Sequence, residues 1–183
     1  MPTRCVLLAT ILVAANLTTN DQGATAADAI WPGWLGPQRN GWAESFQPPN
    51  PWPAQLERRW QVEVGEGYAS PLVVAGSVYQ HARQGDEEVV WRIDHDSGQV
   101  AWRKSYPVPF TMGRGGERHG KGPKSSPVLA DDRLFTLSIT AILSAWDAES
   151  GELLWQRDYR SQFEKAHPYW GASTSPLVDG DRI

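Results

Sequence analysis

The residues best equipped for chemistry lie between Tyr106 and Lys124, where Arg114, Glu117, Arg118, His119, Lys121 and Lys124 share one glycine-rich stretch. The string Gly115-Gly-Glu-Arg-His-Gly120-Lys121-Gly122 comes within one residue of a phosphate-binding loop. However, Gly122 stands where a hydroxyl side chain would hold magnesium, Pro123 obstructs a helix start, and no strand-loop-helix pattern surrounds the string. Two readings are left for this stretch. One is a solvated connection; the other is a contact loop that presents Arg114, Arg118, His119 and Lys121 to a partner or ligand.

Elsewhere the reactive residue types are scattered. His81, His95, His119 and His167 lack metal-ligand spacing, so no metal site is expected. Asp86, Glu87 and Glu88 read as a solvated hairpin tip. Cys5 is the single cysteine, which leaves no internal disulfide, no thiolate cage and no cysteine nucleophile. Asp94 and Asp147 invite comparison with paired acid-base carboxylates, but they occupy equivalent places in a repeat and are assigned to turns in different units. No residue is assigned a catalytic, cofactor-binding or metal-binding role.

The elements that must position these side chains follow from the rest of the chain. Residues 1–29 read as a secretory signal peptide: Arg4 begins it, Val6 to Ala15 form an apolar core, and Ala24-Thr25-Ala26 offers a small-x-small cleavage site. The apolar run is shorter than the roughly 20 residues of a membrane-spanning helix. A mature chain without a transmembrane segment, periplasmic or secreted, is expected. The formal net charge of -4 gives no broad positive field for a phosphate backbone, which argues against nucleic acid as a partner. Residues 30–59, rich in Trp, Pro and Gly, form a lead-in expected to pack across the outside of the first repeat.

From Trp60 the chain repeats. Ser70-Pro71, Ser126-Pro127 and Ser175-Pro176 each precede an apolar run and a turn. Later in each complete unit, Asp94-His-Asp-Ser-Gly98-Gln-Val-Ala-Trp102 matches Asp147-Ala-Glu-Ser-Gly151-Glu-Leu-Leu-Trp155, with four identities at a common offset of 53 residues. In the second unit, short apolar runs at 127–130, 134–139, 142–146 and 152–159 are separated by turn residues. Four antiparallel strands recurring every roughly 40 to 50 residues make a propeller blade. The fold class is therefore all-β: an incomplete β-propeller of four-stranded antiparallel blades at about 60–106 and 123–160, with the start of a third at 171–183.

The shared string has a physical logic. Asp94 and Asp147 can accept backbone N–H bonds inside a turn, and Gly98 and Gly151 supply a positive φ. Trp102 and Trp155, four residues later, are expected to dock on the neighbouring blade; burying such a ring removes roughly 150–250 Å² of surface. Asp94, Gly98, Trp102, Asp147, Gly151 and Trp155 are thus structural repeat residues.

This string, with Ser-Pro opening the next unit, resembles the tryptophan-docking repeat of the pyrroloquinoline-quinone (PQQ)-like propeller family. The lead-in Trp31-Pro-Gly-Trp34-Leu-Gly-Pro37-Gln-Arg-Asn40-Gly41 is similar to the opening of exported members. The resemblance implies a closed ring of about eight blades, so further blades are expected to complete the circle. It also implies two kinds of function. One is a non-catalytic scaffold that binds a protein or carbohydrate partner and needs no cofactor. The alternative is part of a PQQ-dependent alcohol or sugar oxidoreductase, whose quinone and calcium would be held by residues outside this stretch. The absence of adjacent cysteines and of a carboxylate-amide cluster favours the scaffold.

Overall fold

A computed structural model describes residues 30–44 and 46–183. The signal-peptide reading falls on residues 1–29 and lies outside them. The described chain forms two antiparallel sheets. The first has the order β1 (Ile30–Trp31), β2 (Leu72–Val74), β3 (Ser77–Gln84), β4 (Glu87–Asp94) and β5 (Val100–Pro107). The second is β6 (Val128–Ala130), β7 (Arg133–Leu137), β8 (Ile142–Asp147) and β9 (Leu153–Asp158). These are two propeller blades, and the described residues do not close a ring. In the third Ser-Pro unit the only pairing is a bridge between Asp179 and Arg182.

Turn chemistry sets the strand boundaries. Gly76 at φ 74° and Gly85 at φ 61° reverse the chain on either side of β3, a conformation open to glycine at no steric cost. A β-bulge precedes each repeat tryptophan. Arg92 pairs with Trp102 while Ile93 pairs with Val100, and Ala145 pairs with Trp155 while Trp146 pairs with Leu153. The extra residues, Ala101 and Leu154, occupy the same repeat position and sharpen the local twist beside each indole.

The core lies between the sheets. Leu72, Tyr79, Val90, Trp102 and Tyr106 from the first blade pack with Leu134, Ile139, Ile142 and Trp146 from the second. The opposite face of the first blade carries Val78, Val89, Trp91 and Ile93, covered by Trp60, Val62 and Val64. Alternation along β4 distributes these faces: Val89, Trp91 and Ile93 point one way and Val90 the other.

Two expectations are corrected here, on the lead-in and on the long connection. Residues 60–66 stand outside the sheet of the first blade. They lie against its face, joined to it by the Glu66–Arg83 bridge, and the sheet's Ser-Pro strand starts at Leu72. The lead-in does not wrap the outside of the first repeat. Ile30 and Trp31 instead pair with Val74 and Val73, making a fifth strand, and the Pro32 carbonyl accepts a bond from Leu129 N–H at 2.8 Å. Backbone N–H and C=O groups left open at the edges of β2 and β6 thereby gain partners. Trp34, Trp42 and Trp52 of the lead-in stay exposed.

The long connection after β5 is also not uniformly solvated. Val108, Phe110 and Met112 are buried in the inter-sheet core, and Pro123 is buried as well. Alternate residues of its first half are packing material, and its exposed charged side chains lie in the glycine-rich second half.

Candidate functional site

The repeat strings build equivalent joints at one end of the blades. The Asp94 carboxylate accepts from Ser97 N–H at 2.8 Å and from the Ser97 hydroxyl at 2.6 Å. Asp147 accepts from Ser150 N–H at 2.8 Å and from its hydroxyl at 2.7 Å. Gly98 and Gly151 then turn at φ 73° and 70°. A methyl group on either would lie 2.7 Å from an indole, that of Trp60 at Gly98 and that of Trp102 at Gly151. The turn glycine is therefore also the seat for a tryptophan.

The indole nitrogens repeat the relation. Trp102 Nε1 donates to the Ala148 carbonyl at 3.1 Å, and Trp60 Nε1 donates to the His95 carbonyl at 2.7 Å. His95 and Ala148 occupy equivalent positions, each directly after the turn aspartate. Trp60 is thus a docking tryptophan that the repeat search missed, because no Asp-x-x-Ser-Gly string precedes it. Its 42-residue separation from Trp102 and the alternating Val62 and Val64 were the available signals. Trp155 differs from both: it is 36% exposed against 9% for Trp102, and its ring rests on Phe135 at a centroid distance of 6.0 Å.

The hydrogen bonds of the Asp94 and Asp147 turns have electrostatic consequences. The hydroxyl and then the backbone N–H of Ser97 hold the Asp94 carboxyl below the usual range; Ser150 does the same for Asp147. A depressed folded-state pKa adds stability above the unfolded value of about 3.9, and that stability is lost as pH falls through the folded value. The thermal midpoint of the wild-type chain should therefore exceed that of an Asp94→Asn/Asp147→Asn variant at about pH 6, with the gap closing toward about pH 2.5. Melting curves across that range check this. A gap of equal size at every pH would show that ionisation of the two turns contributes nothing.

At the other end of the blades the Ser-Pro pairs form a chain. Ser70 N–H donates to Ser126 Oγ at 2.9 Å, and Ser126 N–H donates to Ser175 Oγ at 3.0 Å. The Ser125 hydroxyl adds a bond to the Thr174 carbonyl at 2.8 Å. Each proline biases the preceding serine toward extended backbone, which suits one hydroxyl to accept from the next serine's amide.

Between the sheets lies a buried polar group. Glu88 and His81 are fully buried, with His81 Nε2 at 3.0 Å from Glu88 Oε2. The Tyr106 hydroxyl donates to the same oxygen at 3.1 Å, and Ile139 N–H of the second blade donates to Oε1 at 2.9 Å. Burial first, and then the Glu88 charge, raise the Tyr106 phenol well above its ordinary pKa. This corrects the reading of Glu88 as part of a solvated tip; Asp86 and Glu87 alone are exposed there.

The basic loop residues Arg114, Arg118, His119 and Lys121 are all exposed, around a single 3-10 turn at Glu117–His119. Arg114 N–H donates to the Tyr169 hydroxyl at 2.7 Å, which ties the loop to the segment after the second blade. Lys124 stands apart from them. It is half-buried, its Nζ donates to the Trp170 carbonyl at 2.6 Å, and burial lowers its pKa. Of the other histidines, His95 contacts Asp96 and His167 meets the Phe110 ring edge-on. Among the described residues no three of His, Cys, Asp and Glu converge as metal ligands.

Residues 86–183 match the family described as outer membrane protein assembly factor BamB. Solved structures with a similar fold include quinohemoprotein alcohol dehydrogenase ADHIIG from Pseudomonas putida HK5, at 21% identity and TM-score 0.44, covering 63% of this chain and 16% of that one. A europium-containing methanol dehydrogenase matches at 20% identity and TM-score 0.35, over 51% of this chain and 16% of its own. BamB from Moraxella catarrhalis matches at 18% identity and TM-score 0.29, over 54% and 41%. The chain thus spans less than two thirds of the length of each. No curated protein matches it.

Proposed function

Because the chain belongs to the PQQ-like repeat family described as outer membrane protein assembly factor BamB, we propose that it serves as an exported, non-catalytic propeller that binds a partner through loops at the Ser-Pro end of its blades. The observation that carries this reading is the division of labour among its polar residues. Those at the joints, Asp94, Asp147 and Glu88, are spent on turns and on packing between blades, whereas Arg114, Arg118, His119 and Lys121 are left facing solvent. Groups bonded within the fold hold it together; charged donors on an exposed loop are available to a second molecule. The family description makes a protein of the outer membrane the first partner to try, with carbohydrate as the other class.

Two measurements on the purified chain test this. A urea-unfolded outer-membrane β-barrel protein, diluted into buffer with the chain, should bind it, and Arg114→Gln/Arg118→Gln/Lys121→Gln should weaken that binding about tenfold or more through loss of charge steering and pairing. Reduction of a redox dye should not occur when PQQ, calcium and an alcohol or sugar are supplied. Quinone-dependent dye reduction, or binding indifferent to the three substitutions, would overturn the reading.

A further inference from the structure

A cleft of about 330 Å³ opens at the Ser-Pro end, lined by Trp34, Arg39, Lys124, Ser173, Thr174 and Ser175. Three distant segments meet there: the lead-in, the end of the connecting loop, and the stretch before the third Ser-Pro pair. The lead-in wall is fixed by the pairing of Ile30 and Trp31 with β2 and by the Pro32 bond to Leu129. Tight turns then fold residues 33–41 upon themselves, with Gly36 N–H donating to Gly33 O, Arg39 N–H to Gly36 O, and Gly41 N–H to Leu35 O. Arg39 adopts φ 53°, in the left-handed region that an arginine seldom enters. On the opposite wall, Ser175 is held by the amide of Ser126 and Thr174 by the hydroxyl of Ser125.

The charge of the cleft is one-sided. Arg39 and Lys124 both line it and no carboxylate does. Among the described residues neither cation has an acidic partner within salt-bridge distance. Lys124 is held in place by the Trp170 carbonyl, which takes one of its three N–H donors and supplies no countercharge. Burial lowers the Lys124 pKa and is the sole cause of that shift. A half-buried ammonium without a countercharge is a place where an anion is favoured. The remaining lining is a row of hydroxyl-bearing residues and the indole of Trp34, which is 46% exposed.

We propose that this cleft binds an acidic saccharide, with one sugar ring resting on Trp34 and its oxyanion between Arg39 and Lys124. A flat apolar ring beside hydroxyl donors suits the mixed apolar and hydroxylated faces of a pyranose, and a guanidinium pairs with carboxylate or sulfate through two parallel bonds. This goes beyond the proposed protein-binding role, by assigning a ligand class to a site separate from the exposed basic loop.

The test uses the whole chain and defined probes. Trigalacturonate, its fully methyl-esterified form and a sulfated galactan trisaccharide are titrated by calorimetry against wild type, Arg39→Gln and Trp34→Ala. Both substitutions lie at exposed side chains, and unchanged melting curves confirm that the variants are folded. At least one of the two acidic probes should bind, and whichever binds more tightly identifies the oxyanion as carboxylate or sulfate. Each substitution should weaken that probe about tenfold or more, and added salt should weaken it further. The neutral ester should bind at least tenfold more weakly than trigalacturonate if the carboxylate is the preferred group. Failure of both acidic probes to bind, or equal affinity in wild type and both variants, would overturn the assignment. The loop variant Arg114→Gln/Arg118→Gln/Lys121→Gln separates the two proposals. If it loses the β-barrel protein while no saccharide binds, the saccharide site alone is refuted; if saccharide binds while the β-barrel protein does not, the protein-binding role is.

Discussion

Replacing Trp102 with alanine is expected to destabilise the chain by about 3–5 kcal/mol, the range for deleting a large buried aromatic side chain. The same change at Trp155, whose ring keeps 36% of its surface exposed, should cost less, about 1–2 kcal/mol. The two residues hold equivalent places in the repeat, so sequence alone forecasts equal effects. Their surroundings separate them. Trp102 is enclosed by both sheets, bonded to Ala148, placed beside the Tyr79 ring at 6.1 Å and seated over Gly151. Its removal would open a cavity between blades and leave the Ala148 carbonyl with only the longer 3.3 Å bond from the Tyr79 hydroxyl, two costs that act together. Trp155 has Phe135 beneath it and, among the described residues, no indole bond of the kind that Trp102 makes. Urea unfolding followed by far-ultraviolet circular dichroism would measure both. Equal losses at the two positions would mean that docking on a neighbouring blade is not what gives the repeat tryptophan its weight. Trp102→Phe, which keeps a ring and removes the N–H, should fall between wild type and alanine.

Features that arise within a few residues were legible in the sequence, and features assembled across the chain were not. The Asp-x-x-Ser-Gly turn is a set of bonds spanning three residues, so its pattern announces its geometry. The strands of the second blade follow from turn residues and alternation, and the read runs match β6 to β9 within a few residues. Trp60 escaped because its seat, Gly98, lies 38 positions along the chain and nothing beside Trp60 marks the relation. The lead-in was misplaced for a similar reason: Ile30 and Trp31 find partners at Val74 and Val73, and Pro32 finds Leu129. The saccharide cleft needs three segments at once, so none of its cations stood out as a site. Lys124 was counted with the loop, while Arg39 passed as part of the lead-in.

Glu88 shows how a period-two reading would have gone further. It is two residues before Val90 on β4, so both side chains face the second blade, and its β5 partner is Tyr106. Acidity suggested solvent, but strand geometry dictated burial. A buried carboxylate needs partners, and this one has three, from β3, β5 and the neighbouring blade.

Glu88→Ala should therefore cost about 3–5 kcal/mol, the range seen when one member of a buried charged cluster is removed. The loss comes chiefly from what is left behind. The His81 imidazole, the Tyr106 hydroxyl and the Ile139 amide would all stay buried without the Glu88 acceptor, and His81 already has one ring nitrogen, Nδ1, with no partner among the described residues. Glu88→Gln should be milder, at about 1–3 kcal/mol, because an amide oxygen can still accept from Ile139 while its NH₂ group meets His81 and Tyr106. Tyr106→Phe, which removes a single hydroxyl from the same cluster, should cost about 1 kcal/mol. Stability alone would not show that the carboxylate joins the blades, since any core defect lowers it. Hydrogen exchange at the Ile139 amide supplies the specific readout: in Glu88→Ala that proton should exchange faster relative to its neighbours on the second blade, and in Tyr106→Phe it should not. If Ile139 stays as protected in Glu88→Ala as the rest of the second blade, the carboxylate stabilises the first blade internally and the link between blades rests on Trp102 and the apolar core.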